Sequence, residues 1–402
     1  MKFANPFRPG AGHPPPYLAG RSTEIREFER LLEQPVILTN LVLTGLRGVG
    51  KTVLMDGSLK PLAQSKDWLW TGNEISETIN VSEDRLAQRL ITDLSVITSR
   101  FVVNTNVVHG MGFLPQREER PIVLDHDLLE GLYKSTPGLV SDKLKAVLEV
   151  AWHAVSGSGA KGIVLAYDEA QNLADRAEKD QYPLSLLLDI FQSIQRKGIP
   201  IMLVLTGLPT LFPKLVEART FAERMFKVVT LDKLDERDRR EAIEKPITDR
   251  RCPIRFTVQA VDEIANCSGG YPYFIQYICY EMFEAYLGPS DGVPNPGITV
   301  AHIARKLDQD FFAGRWNNVT DRQRDLLVII ASLRNPDDEF TIMEVVEGSK
   351  QHGKKPFSPS HVGQMLSTLS ELGLIFKNRH GKYSFAVPMM AAFIQRQTEE
   401  ND

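Results

Sequence analysis

One eight-residue stretch constrains this chain more than any other. Gly45-Leu46-Arg47-Gly48-Val49-Gly50-Lys51-Thr52 fits the pattern G-x-x-x-x-G-K-[ST] without a mismatch. The run before it, 35–44, is apolar and β-branched, as a buried strand should be. The run after it, 51–62, reads as a helix. Strand, glycine loop and helix in that order are the context a phosphate-binding loop requires. Glycines let backbone N–H groups turn inward around a polyphosphate, and the helix N-terminus adds positive potential there. In such a loop Lys51 reaches the β- and γ-phosphates of a nucleoside triphosphate, and the Thr52 hydroxyl holds Mg²⁺. An ordinary Gly-rich turn would not need those flanks.

The rest of the chain must build around that loop. Its 402 residues leave room for two or three domains. With 43% hydrophobic and 24% charged residues, the composition is that of a soluble globular protein. A net charge of −4 gives no global pull toward nucleic acid, so any such binding needs a local patch. Cys252, Cys267 and Cys279 form no CxxC pair, which argues against zinc and suits a reducing, cytoplasmic setting. The first 16 residues are rich in Pro and Gly, not an apolar signal core, and no apolar run approaches the ~20 residues of a membrane span.

In chain order, a capped helix is expected over 23–32, a strand over 68–71 and a long helix over 81–101 with Ser82 as its cap. Residues 102–139 show little periodicity and read as an insertion or long loop. A helix over 141–155 precedes an apolar strand, 162–167, that ends in Asp168-Glu169. A helix over 182–196 leads to a strand over 199–205, ending in Thr206, and a shorter strand covers 226–231. Strands alternating with helices imply an α/β domain, a parallel sheet sandwiched by helices. From about 232 the strands stop. Helices over 234–243, 257–267, 271–286 and 301–312 form a small helical lid, with a surface loop over 287–296. Helices over 321–333, 342–347 and 358–372, a short strand at 339–341 and a hairpin around His380-Gly381 form a C-terminal winged helix. The expected divisions are 1–232, 233–315 and 316–402.

Several residues in this layout carry chemistry. Asp168 at a strand end would bind Mg²⁺, usually through water, and Glu169 would polarise the attacking water. Thr206, at the end of the next strand, is placed to sense the γ-phosphate. Arg219 and Arg224 precede the last strand of the sheet, and Arg224, the closer, is the better candidate to reach a neighbouring subunit's γ-phosphate. In the C-terminal domain, Lys350, Lys354, Lys355, Lys377, Arg379 and Lys382 face a single acid, Glu371, in that stretch, and His352, His361 and His380 add to it. Phosphate contacts to double-stranded DNA are expected from Lys354, Lys355, Lys377, Arg379 and Lys382, with Ser360, His361 and Gln364 near the bases. The alternative is a solvated face on a domain that docks a protein partner.

This order of motifs resembles the AAA+ ATPases of the origin-recognition and STAND branch, over nearly the whole chain. More narrowly it looks like a bacterial family of predicted ATPases with a C-terminal winged helix. The resembling segments are residues 5–12, 18–21, 43–54, 222–226, 269–274 and 385–388. The resemblance implies an ATPase that binds ATP or ADP with Mg²⁺, hydrolyses ATP slowly and works as a nucleotide-driven switch. It places Arg21, Gly45, Arg47, Gly48, Val49, Gly50, Lys51, Thr52, Val53, Gly270 and Pro272 at the nucleotide, and Lys51, Glu169, Thr206 and Arg224 in hydrolysis. It also implies a homo-oligomer in the ATP state. Two departures stand out. Gly270-Tyr271-Pro272 replaces the sensor arginine of the origin-recognition branch and is similar to the GxP of STAND proteins. Ala170-Gln171-Asn172 follows Asp-Glu where the family tends to have isoleucine and tyrosine, leaving Gln171 and Asn172 as polar contacts without an assigned role. DNA-associated and protein-docking functions both fit these residues; a kinase fits the lid and winged helix poorly.

Overall fold

The computed structural model describes residues 4–10, 12–75, 82–109, 117–248, 252–287, 299–351, 356–379 and 381–399. The chain packs into two compact units. One comprises Met1–Arg21, Gly45–Val53 and Leu231–Asp402; the other comprises Ser22–Thr44 and Leu54–Thr230. The strands among the described residues are β1 (Asn40–Thr44), β2 (Trp68–Thr71), β3 (Val102–His109), β4 (Arg117–Val123), β5 (Gly162–Tyr167), β6 (Ile201–Gly207), β7 (Phe226–Thr230), β8 (Ile375–Arg379) and β9 (Lys382–Phe385).

The second unit is built on a five-stranded sheet in the order β2-β5-β6-β1-β7, with every neighbouring pair parallel. The three middle strands are buried along their whole length, as expected when helices cover both faces. Register sets the level of the strand ends. Tyr167 pairs with Leu205, so the next residues, Asp168 and Thr206, come side by side; Leu43 pairs with Thr206, so β1 ends at the same level.

Strand β1 is half the length its apolar run suggests, for a local reason. The Gln34 side chain accepts from the N–H groups of Leu38 (3.1 Å) and Thr39 (3.0 Å) and donates to the carbonyls of Leu31 and Thr39. Those backbone groups are satisfied off the sheet, and Pro35 has no N–H to offer a ladder. Pairing starts at Asn40, whose fully buried amide accepts from Leu203 N–H (2.8 Å) and exchanges hydrogen bonds with Gln195.

The stretch 102–139, read from sequence as an insertion or long loop, holds regular structure. Strands β3 and β4 pair antiparallel in a sheet of their own, and a helix follows over His126–Ser135. That helix is capped by Asp125, which accepts from Leu128 N–H at 3.0 Å. The mixed Val, Asn and Thr run of β3 lacks the strict alternation by which a half-buried strand is recognised, and only Leu129 of the helix is buried. The long helix starts where expected, at Glu83, with Ser82 accepting from Arg85 N–H at 3.3 Å.

The first unit is mostly helical. Helices Glu236–Glu244, Val258–Cys267, Pro272–Leu287 and Val300–Leu307 are followed by a π-turn at Asp308–Phe312 and a short helix, Ala313–Asn317. Helices Asp321–Ala331, Ile342–Gln351 and Pro359–Glu371, the β8–β9 hairpin and Met390–Glu399 complete the chain. The expected strand at 339–341 is one bridge, Phe340 to Tyr383, with both N–H···O bonds at 2.8 Å. All of these elements share one apolar core. Phe312 stacks on Phe393 with ring centres 5.1 Å apart, and Arg396 forks onto buried Asp308 at 2.8 and 2.6 Å. The described residues of the Pro-rich N-terminus form no helix or strand but are anchored in this core. Phe7 is buried against Phe256 and Phe283, and Arg8 N–H donates to Gln276.

Candidate functional site

The phosphate loop belongs to the first unit. Gly48 and Gly50 take the left-handed backbone conformation, φ +80° and +92°, which other residues adopt only under strain. Space also requires glycine. A Cβ on Gly45 would lie 2.5 Å from the Leu231 carbonyl oxygen, and one on Gly48 would lie 3.2 Å from Cβ of Tyr273. Lys51, 6% exposed, donates from Nζ to the Gly45 and Leu46 carbonyls at 2.9 and 3.0 Å. Its ammonium is thereby folded back over the loop.

Arg21 braces the loop from outside. Its guanidinium donates to the Val49 carbonyl (3.0 Å) and the Asp232 carbonyl (2.8 Å), and the side chain is buried. The helix Pro272–Leu287 braces it from another side, where Tyr273 N–H donates to the Gly48 carbonyl at 3.2 Å. Ahead of that helix Gly270 is left-handed, φ +80°, and its carbonyl accepts from Leu234 N–H at 2.8 Å. A Cβ on Gly270 would run into the Arg239 guanidinium, itself held by the Leu234 carbonyl at 2.7 Å. Pro272 opens the helix at its first position.

Arg315 is a residue that sequence reading missed. Its guanidinium lies over the Phe311 ring, 4.7 Å from the centre, and Nη1 donates to the Phe311 carbonyl. Phe311 in turn packs on Tyr273, ring centres 5.4 Å apart. Burial, and then the positive charge of Arg47, push the Arg315 guanidinium below its usual range. Nothing in the local sequence of Arg315 points to the loop, because Tyr273 and Phe311 carry the connection across 38 positions.

The acidic strand end belongs to the other unit. Asp168 is buried and accepts at Oδ1 from the Thr206 hydroxyl and from Glu169 N–H (2.8 Å). Its backbone bonds to the segment 73–75, with Ile75 N–H donating to the Asp168 carbonyl at 3.0 Å. Glu169 sits in the left-handed region, φ +50°, so the turn after β5 is sharp at the glutamate itself. The Gln171 amide donates to the Glu169 carboxylate and accepts from Leu208 N–H at 3.1 Å. Lys214, whose ammonium burial pushes below its usual range, donates to the Gln171 carbonyl at 3.0 Å. Asn172 donates to the Ile75 carbonyl at 2.7 Å. The two residues without an assigned role thus tie Asp-Glu to its neighbours.

The two arginines before β7 have different surroundings. Arg219 is engaged within the unit, bidentate to Asp189 at 2.9 and 2.7 Å and bonded to Ser185. Arg224 is exposed at the end of the short helix Ala222–Met225.

The chain has known likenesses. Residues 309–394 match a family model described as a domain of unknown function (DUF8462). Over 389 residues the chain is 21% identical to an uncharacterized HTH-type transcriptional regulator of Methanocaldococcus jannaschii, covering 91% of this chain and 85% of that protein. The Walker-type ATPase of Pyrococcus abyssi superposes with a TM-score of 0.57 at 16% identity, over 94% of this chain and 96% of that one. The ORC2 protein of Aeropyrum pernix, solved in ADPNP–ADP complexes, superposes with a TM-score of 0.53 at 11% identity, over 98% of each chain. The fold is the AAA+ fold of the origin-recognition type.

The C-terminal basic residues are only partly described. His352, Lys354, Lys355 and His380 lie outside the described residues, as does the side chain of Arg379. On Pro359–Glu371, Val362, Met365, Leu366 and Leu369 are buried, while Ser360, His361 and Gln364 are exposed. Lys377 on β8 is exposed; Lys382 on β9 is half-buried and close enough to Glu344 to help hold that carboxyl below its usual range, after Thr341, which bonds it. Glu344 comes from the preceding helix, so a count of charges along 350–382 does not see it. No described helix is long and apolar enough to cross a membrane.

Proposed function

We propose that this protein is a Mg²⁺-dependent ATPase that hydrolyses ATP slowly and acts as a nucleotide-driven switch. The observation that carries the reading is the phosphate loop, with left-handed Gly48 and Gly50 and the Lys51 ammonium held over its carbonyls. Lys51 would bind the β- and γ-phosphates, with the backbone of Gly45, Gly48, Val49, Gly50 and Val53 around them and Arg21 fixing the loop. Arg47 and Arg315 bring two guanidinium charges to the loop, a repulsion that a polyphosphate would relieve. The oxygen donors Thr52 and Asp168 suit Mg²⁺, which would neutralise phosphate charge. Glu169 would take the proton of the attacking water, Thr206 would respond to the γ-phosphate, and Arg224 would act on a neighbouring copy's nucleotide. Gly270 and Pro272, within the lid, would pack near the nucleotide.

We read 1–232 as the nucleotide-binding domain, 233–315 as the lid and 316–402 as a winged helix, in a cytoplasmic protein that assembles with ATP. DNA association is favoured by Lys377, exposed on the hairpin, and by the exposed His361 and Gln364. A protein-docking switch is favoured by the Gly270-Tyr271-Pro272 junction, which packs on 234–239 in place of a sensor arginine. The test is titration of a fluorescent ATP analogue into wild type and Lys51→Ala. Saturable, Mg²⁺-dependent binding that the variant loses is expected; equal affinity in both would overturn the phosphate-loop assignment.

A further inference from the structure

Gln171 bonds at both strand ends, to Glu169 after β5 and to Leu208 after β6, and it is 8% exposed. Its amide has a defined orientation. Leu208 N–H is a donor, so the atom facing it at 3.1 Å must be the carbonyl oxygen Oε1. Nε2 is then turned to Oε2 of Glu169, to which it donates. The fit leaves no slack. A Cβ on Gly207 would collide with Oε1, so the glycine in Thr206-Gly207 makes room for this amide. The Gln171 carbonyl is held by Lys214 at 3.0 Å and the turn by Asn172 on Ile75, so the backbone under the amide is fixed as well.

Glu169 is half-buried, and its carboxylate can change rotamer unless something restrains it. We propose that Gln171 is a positioning residue, clamping one carboxylate oxygen of Glu169 to the end of β6 so that the other faces the attacking water. The inference rests on the reading of Glu169 as the base. In that step the water oxygen bonds to the γ-phosphorus, the bond to the bridging oxygen of ADP breaks, and the water proton passes to Glu169. A base that must be found in one orientation works faster when that orientation is prepaid.

Two substitutions separate this role from a merely structural one. Gln171→Met keeps the volume and loses both hydrogen bonds. Gln171→Glu keeps an acceptor for Leu208 N–H but sets a second carboxylate against Glu169. Both are expected to lower kcat by roughly tenfold or more with ATP affinity unchanged. The Gln171→Glu loss, taken as a ratio to wild type, should shrink as pH falls and the new carboxyl regains a proton to donate. In a Glu169→Gln background neither substitution should lower turnover further. Wild-type kcat in either variant, a pH-independent ratio, or an equal loss in the Glu169→Gln background would overturn the inference. Failure of wild type itself to bind or hydrolyse ATP would instead overturn the ATPase reading.

Discussion

The hydroxyl of Thr206 donates to Oδ1 of Asp168, joining the ends of two neighbouring parallel strands. Both side chains are buried, so neither has bulk water as an alternative partner. Thr206→Val keeps the shape and removes the donor, leaving a buried carboxylate one hydrogen bond short. That should cost about 1–3 kcal/mol of stability. It should also raise the Mg²⁺ concentration needed, because the carboxylate proposed to hold the ion loses its orientation. Thermal unfolding and the Mg²⁺ concentration for half-maximal turnover check this; wild-type values of both would mean that the hydroxyl does not restrain Asp168.

Replacing Gly270 tests the turn ahead of the helix Pro272–Leu287. Gly270→Ala forces a left-handed alanine, at about 1–2 kcal/mol, and drives its methyl into the Arg239 guanidinium and the Leu234 carbonyl oxygen, 2.8 Å away. A fall in melting temperature of several degrees is expected, with weaker nucleotide binding through Tyr273 and Gly48. Unchanged melting would show that the backbone at 270 is not held left-handed in solution.

Much of this arrangement is legible in the chain itself. The β5–Asp168-Glu169 and β6–Thr206 ends could be read because apolar runs of five to seven residues stop at a polar side chain, and helices such as Glu83–Thr98 announce their caps. Gln34, Gln171 and Arg315 could not be read. Each acts through a partner or a backbone conformation that no local period encodes: Gln34 on its own turn, Gln171 on a left-handed glutamate, Arg315 through two aromatic rings. The hairpin of β3 and β4 escaped for the opposite reason, since its backbone is regular where its pattern is not.

Arg224 and Arg219 make opposite predictions. Arg224 is exposed, so Arg224→Ala should leave stability within about 0.5 kcal/mol of wild type. If it acts on a neighbour's nucleotide, turnover should fall without loss of ATP affinity, and wild-type specific activity should rise with protein concentration. Arg219→Ala should instead cost stability, because it abandons Asp189 and Ser185. Concentration-independent turnover, with a monomer by light scattering in ATP, would count against Arg224 acting between copies.

For the C-terminal hairpin the measurement is duplex-DNA affinity against salt, for wild type and a Lys377/Arg379/Lys382→Ala triple variant, in ATP and in ADP. Each phosphate contact contributes nearly one unit of log–log slope, so the slope should shrink by about two to three. Weak sequence preference is expected, with few exposed polar side chains on Pro359–Glu371 to read bases. Absence of binding at low salt in both nucleotide states would leave the protein-docking function in its place.

The burial of Phe7 against Phe256 and Phe283 has a consequence for biogenesis. Phe7 is seated only when a stretch made more than 200 residues later has emerged. At about 5–20 residues per second Phe7 waits tens of seconds, exposed, while the chain grows. Arg21 waits likewise for the Asp232 carbonyl. A nascent chain stopped before residue 256 therefore presents Phe7 unanchored, and its phosphate loop lacks the helix that begins at Pro272.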